Sequence, residues 1–201
     1  MRTADPAPTV FCFGDSNTYG YDPRSPLGER YPPEVRWTGL LSRDAGWRVL
    51  EAGQNGREIP HRPPELAAVR RLTERCPPPE GAVLLLGSND LLLHPSFTAE
   101  DAAARMEGCL AAFLERWPPA ALLLTAPPPM VRGAWVAEER LVRESARLAA
   151  CYRALARRLG VGFADAGAWG VDLAFDGVHF SPAGHRAFAR GIREALAPLC
   201  G

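Results

Sequence analysis

A serine follows directly on an apolar run in Val10-Phe11-Cys12-Phe13-Gly14-Asp15-Ser16-Asn17, and an aspartate and a histidine stand three residues apart in Asp176-Gly177-Val178-His179. Serine is a weak nucleophile at its ordinary pKa and needs a base within hydrogen-bond reach, a part that His179 can play. The imidazole needs an acceptor to orient it, and Asp176 lies across a tight Gly177 turn. Attack on an acyl carbon also needs donors for the oxyanion that forms. The backbone N–H groups of Ser16 and Gly56 and the side-chain amide of Asn89 are candidates for that task. The chemistry open to such a set is acyl transfer through a serine, with no metal and no cofactor. Each residue also has a plainer reading. Ser16 is a suitable helix cap, Asn89 a suitable turn residue, and His179 an ordinary structural histidine.

These residues act together only if the chain brings them to one place. Val10–Phe13, Trp47–Ala52, Ala82–Leu86, Ala120–Leu124 and Val161–Ala164 read as strands. The third and fourth are uninterrupted apolar runs, as in central parallel strands buried on both faces. Between them lie helices. One starts at Arg36-Trp37 and ends near Gly46, and another runs from Pro63-Pro64 to about Arg75. A third is capped by Thr98 with Asp101 three residues on. A fourth runs from about Ala137 to Leu159, with Leu141, Leu148, Cys151, Leu155 and Leu159 on its buried side. The last opens at Ser181-Pro182, with Phe188, Ile192, Leu196 and Leu199 facing inward. Alternating strands and helices predict a three-layer α/β/α fold with a five-stranded parallel sheet in the flavodoxin-like order 2-1-3-4-5. In such a sheet all strand carboxyl ends share one rim. Asp15-Ser16-Asn17, Asn55-Gly56-Arg57, Gly87-Ser88-Asn89-Asp90 and Asp176–Ser181 then meet there.

Other residues near that rim compete for roles. Asp172 is a rival to Asp176 as partner of His179, although it would have to fold back from farther away. Asp15 is expected to tie down its loop through backbone N–H groups, with substrate contact as the alternative. Arg57, beside Gly56, is either a substrate contact or a solvated loop arginine. His61, His94 and His185 are expected to face solvent. Asp90 and His94 resemble a metal-ligand pair but lack a third ligand nearby. Cys12 is expected to be an inert core residue, and Trp37 and Trp135 to be packing residues rather than pocket aromatics.

Composition narrows the class. The 201 residues are expected to form one domain with a substantial core. Lys+Arg and Asp+Glu both number 23, for a formal net charge of zero. That balance argues against nucleic acid or an anionic membrane as partner. The five cysteines are spread out with no C-x-x-C pair, unlike a disulfide framework or a zinc site. Met1–Pro8 lacks the apolar core of a signal peptide, and no apolar run approaches a membrane span, so a reducing cytoplasm is the expected compartment.

The four blocks Gly14-Asp15-Ser16-Asn17, Gly56, Gly87-Ser88-Asn89-Asp90 and Asp176-Gly177-Val178-His179 resemble, in order, those of the SGNH (GDSL-type) hydrolases. The resemblance makes Ser16 the nucleophile, Gly56 and Asn89 oxyanion donors, and Asp176 and His179 the other triad members. Phe13–Pro23, Val35-Arg36-Trp37-Thr38-Gly39-Leu40 and Thr125-Ala126-Pro127-Pro128-Pro129 look like the arylesterase/acyltransferase branch. The chain departs from the signature at Asn17, where the name-giving motif has Leu, though several members carry Asn. The α/β-hydrolase elbow G-x-S-x-G does not fit, because Thr18 stands where its second Gly belongs. The resemblance implies a serine esterase acting on a small-molecule, short-chain acyl ester, with acyl transfer as a competing outcome. A thioesterase, a lysophospholipase and a carbohydrate O-deacetylase would use the same residues. A non-catalytic module binding an anion at a helix N-terminus is the alternative outside enzymes. Members of the branch often assemble, which leaves a homo-oligomer open.

Overall fold

The apolar runs expected as strands are strands, with ends displaced by one or two residues. They are β1 (Thr9–Gly14), β2 (Arg48–Gly53), β3 (Gly81–Leu85), β4 (Leu122–Ala126) and β5 (Gly162–Asp165). All pairs are parallel and the order is β2-β1-β3-β4-β5, as expected. The computed structural model describes residues 7–200. The expectation about a signal peptide in Met1–Pro8 falls on residues 1–6, outside those described.

The helices are α1 (Ser16–Tyr19), α2 (Trp37–Ala45), α3 (Pro63–Arg75), α4 (Ser88–Leu93), α5 (Ala99–Leu114), α6 (Glu139–Leu159) and α7 (Pro182–Cys200). Two of them, α1 and α4, were not anticipated. Each is a short turn of helix entered directly from a strand end. Thr98 and Asp101 form the expected capping box at the start of α5. At α7, Ser181 Oγ accepts the Gly184 N–H over 3.1 Å, which satisfies one of the free donors of the first turn.

Alternation along the strands sorts the core into two layers. Phe11, Phe13, Leu84, Leu122 and Leu124 pack with Met106, Phe113, Leu148 and Tyr152 on one face. Val10, Cys12, Val83, Leu85 and Leu123 pack with Trp37, Leu40, Phe188 and Ile192 on the other. The central strands β3 and β4 are buried throughout, whereas the edge strand β2 is half-exposed. Leu199, expected to face inward, is exposed. It extends the apolar stripe of α7 by one turn, into the last turn of the helix.

The register sets the rim level. Gly14 pairs with Gly53 on one side and Leu85 on the other, so β1, β2 and β3 end side by side. A Cβ at Gly14 would stand 2.1 Å from Thr18 Oγ1 and 2.7 Å from the Leu85 carbonyl. Glycine there lets the chain turn from β1 straight into α1. No helix among the described residues is long and apolar enough to cross a membrane.

Candidate active site

At the end of β1 the chain enters α1 with Asp15 as the cap. Its Oδ1 accepts the Asn17 N–H over 2.9 Å. Ser16 is therefore the first helical residue and not the cap, and its hydroxyl is left for another partner. That partner is His179. Its Nε2 lies 2.9 Å from Ser16 Oγ, although the two residues are 163 apart in sequence.

The His179 ring is held from its other nitrogen, Nδ1 lying 2.6 Å from Asp176 Oδ2. The second carboxylate oxygen accepts the Val178 and His179 N–H groups, each over 2.9 Å. Asp176 is fully buried. Burial works against its charge, but the His179 ring and these two N–H groups outweigh it and hold the carboxyl below the usual carboxylate range. The tight return of the chain requires Gly177, which has φ +82 and whose Cβ would stand 2.1 Å from the Val131 carbonyl. A carboxylate fixed at Nδ1 keeps the proton on that nitrogen. Nε2 is then a free acceptor facing a hydroxyl.

Asp172 is occupied elsewhere. Its Oδ2 accepts from Ser181 Oγ over 2.5 Å at the start of α7.

The oxyanion candidates come from three neighbouring strand ends. Among the described residues, no acceptor engages the N–H of Ser16 or of Gly56. Asn89 lies in the first turn of α4, and its Nδ2 donates one proton to the Arg57 carbonyl over 3.0 Å. Its second proton is available. The Gln54 N–H donates to the Gly14 carbonyl over 3.1 Å, which holds the Gly56 loop against the turn that carries Ser16.

Two residues considered for substrate contact also fasten the strand ends. Asp15 is 2% exposed, and its carboxylate caps α1 through the Asn17 N–H. Burial pushes its carboxyl up to about 6 against the pull of the Asn17 N–H. Arg57 donates to the carbonyls of Gly14 and Ala52 and to Gln54 Oε1, and its guanidinium lies over the Phe13 ring. Arg57 is thus anchored to the strand ends while remaining half-buried, at the wall of a groove beside Gly56. That groove, of about 420 Å³, also has Phe13, Val69 and Leu72 in its wall.

Two aromatic rings flank His179. The ring centroid of Tyr21 is 4.7 Å away and that of Trp135 is 5.0 Å away. Trp135 is not the packing residue expected, being about half exposed. Its loop is zipped onto the segment carrying Asp176, with the Trp135 N–H donating to the Asp176 carbonyl over 3.0 Å. No residue spacing signals this loop pairing. Trp37 is buried, and its indole N–H donates to the Asn17 carbonyl over 2.9 Å.

Of the histidines expected to face solvent, His61 and His94 are half-buried and His185 departs furthest. His185 is fully buried, accepts the Trp37 N–H at Nδ1 and has its pKa lowered to about 3, chiefly by burial. His94 Nε2 meets Glu58 Oε2 at 2.5 Å, and Asp90 meets Arg105 rather than His94. Among the described residues no group of three or more His, Cys, Asp or Glu side chains is placed to hold a metal ion. Cys12 is buried, and burial pushes its thiol pKa up.

Comparison with known proteins agrees with this geometry in family. Residues 12–187 match the model of the GDSL-like lipase/acylhydrolase family. No curated protein matches the sequence. The fold is similar to the native aryl esterase of M. smegmatis, at 28% identity and TM-score 0.85, covering 96% of this chain and 100% of that one. It is also similar to Est24, a carbohydrate acetylesterase from Sinorhizobium meliloti, at 25% identity and TM-score 0.82, covering 96% and 99%. A carbohydrate acetylesterase family member from the same organism aligns at 29% identity and TM-score 0.80, covering 94% and 99%. The chain belongs to the GDSL-like lipase/acylhydrolase family and is a carboxylic ester hydrolase.

Proposed function

We propose that the protein hydrolyses small, short-chain acyl esters through an acyl-enzyme on Ser16. The observation that carries this reading is the unbroken line from Ser16 Oγ through His179 to Asp176, with contacts of 2.9 and 2.6 Å. In the first half-reaction Ser16 Oγ bonds to the ester carbonyl carbon while His179 Nε2 takes the hydroxyl proton. The carbonyl oxygen becomes an oxyanion, which the N–H groups of Ser16 and Gly56 and the Asn89 amide stabilise. The intermediate collapses, the alcohol leaves, and His179 returns the proton to it. Asp176 holds the imidazole in the Nδ1–H tautomer and stabilises the imidazolium. Water then enters and bonds to the acyl carbon as Nε2 takes one of its protons, and collapse breaks the bond to Oγ, releasing the acid as His179 returns that proton to Ser16. An alcohol entering instead of water gives acyl transfer by the same steps.

The case for a small substrate rests on the surroundings of Ser16. Tyr21 and Trp135 crowd the His179 ring, and Ser16 is itself 6% exposed, which leaves little room around the reacting groups. Similarity to carbohydrate acetylesterases favours acetylated sugars as a second substrate class carried by the same residues. A panel of p-nitrophenyl esters of rising acyl length, run beside acetylated sugars, tests this reading. Short acyl groups should give the highest kcat/KM. A rise in kcat/KM towards long chains would refute it.

A further inference from the structure

The Asn17 side chain is buried, and both ends of its amide are used. Nδ2 donates to the Val178 carbonyl over 3.2 Å, and Oδ1 accepts the Phe180 N–H over 2.8 Å. A reversed amide would set N–H against N–H and C=O against C=O, so the two partners admit one orientation. The two backbone groups it meets lie on either side of His179. The backbone of Asn17 is held as well, its N–H by Asp15 Oδ1 and its carbonyl by the Trp37 indole, each over 2.9 Å.

No backbone–backbone hydrogen bond among the described residues joins 14–19 to 176–180. Apart from the Asn17 amide, the hydrogen bond between these segments is the Ser16–His179 contact, which chemistry must break in every turnover. A leucine in the place of Asn17 could make neither amide bond.

We propose that Asn17 is a positioning residue that fixes the His179 backbone relative to Ser16, so that Nε2 stays in line with Oγ while the proton moves. This role rests on the assignment of Ser16 and His179 given above. Asn17 touches no reacting atom in this scheme. Its influence passes through the placement of His179, and misplacement of a reacting group by about 1 Å can cost on the order of 10²-fold in rate.

The test compares Asn17→Leu, which removes both bonds, with Asn17→Asp, which keeps the acceptor for Phe180 but faces the Val178 carbonyl with a carboxylate oxygen. Active sites are titrated with diethyl p-nitrophenyl phosphate, and turnover of p-nitrophenyl acetate is expressed per titrated site. Both variants should lose about ten- to hundred-fold in kcat per site. KM should change by less than about threefold, as for an interaction that matters after binding. The rate constant for phosphorylation of Ser16 should fall in parallel, because it depends on the same alignment. A structural role alone would lower Tm and the titratable fraction while leaving kcat per site unchanged, and that result overturns the proposal. Failure of both variants to fold also overturns it, since the clasp would then be holding the fold. Ser16→Ala is the control: full activity there refutes the nucleophile assignment. An inactive Ser16→Ala beside fully active Asn17 variants refutes only the positioning role.

Discussion

The Arg57 guanidinium donates to the Gly14 carbonyl over 2.8 Å, and through that bond the loop carrying Gly56 is fastened to the strand that delivers Ser16. The same side chain reaches the Ala52 carbonyl and Gln54 Oε1 and lies 4.4 Å from the Phe13 ring centroid. One cation thus joins the ends of β1 and β2, where the proposed nucleophile and one proposed oxyanion donor begin. Burial lowers its pKa, an effect the Asp15 carboxylate opposes.

Replacing Arg57 by Met removes its bonds to the Gly14 and Ala52 carbonyls, the former keeping the Gln54 N–H as donor, at about 1–3 kcal/mol for a group left unsatisfied. Urea unfolding should report a loss of that order, with a fall in kcat as the Gly56 loop loosens. Arg57→Lys should lie between, because an ammonium keeps the charge but not the planar fork. Unfolding free energies for Arg57→Met within about 0.5 kcal/mol of wild type, the range of an ordinary surface change, would contradict this.

Asn89→Ala removes a proposed oxyanion donor together with the bond to the Arg57 carbonyl. A donor that acts only on the developing charge should affect kcat by about 10²–10³-fold and leave KM nearly unchanged. Steady-state kinetics on p-nitrophenyl acetate separates the two constants. A rise in KM at constant kcat would show that Asn89 binds the ground state instead.

Asp15 makes stability depend on pH. Its carboxyl lies at about 6 in the fold against an ordinary value of 3.8, so the folded state holds the proton more tightly than the unfolded state does. The stability this group contributes is complete below pH 3.8 and is lost as pH rises through 6. A shift of about two units corresponds to roughly 3 kcal/mol. Asp15→Asn keeps an acceptor for the Asn17 N–H without the buried charge. Denaturation at pH 8 should find it more stable than wild type by about 1–3 kcal/mol, with the difference closing by about pH 4. A difference that does not vary with pH would show that the charge is not its cause.

Much of this was legible in the sequence where a feature is set by pattern. The apolar runs of β3 and β4, the Thr98 cap and the Ser181-Pro182 start of α7 are local and periodic, and the order of the sheet follows from crossover rules. The meeting of Ser16, Asp176 and His179 followed from strand ends sharing a rim. What escaped depends on geometry that spacing does not encode. Whether Asp15 or Ser16 caps α1 is decided by backbone angles at a single turn. The six-residue α4 is too short for a helical period to show. Trp135 reaches His179 because its loop pairs with the Asp176 segment, a contact across some forty residues of sequence. His185 is different, since it stands three residues before Phe188 on the stripe of α7 and its burial could have been read from that phase.

The central claim is that Ser16 is the nucleophile, and covalent labelling tests it most directly. Treatment with diethyl p-nitrophenyl phosphate should add one phosphoryl group per chain, found by peptide mass on the fragment containing Ser16, and abolish ester hydrolysis in proportion. Ser16→Ala should take up no label and lose on the order of 10³-fold or more of its p-nitrophenyl acetate turnover. Label on another residue, or wild-type turnover by Ser16→Ala, would contradict the mechanism.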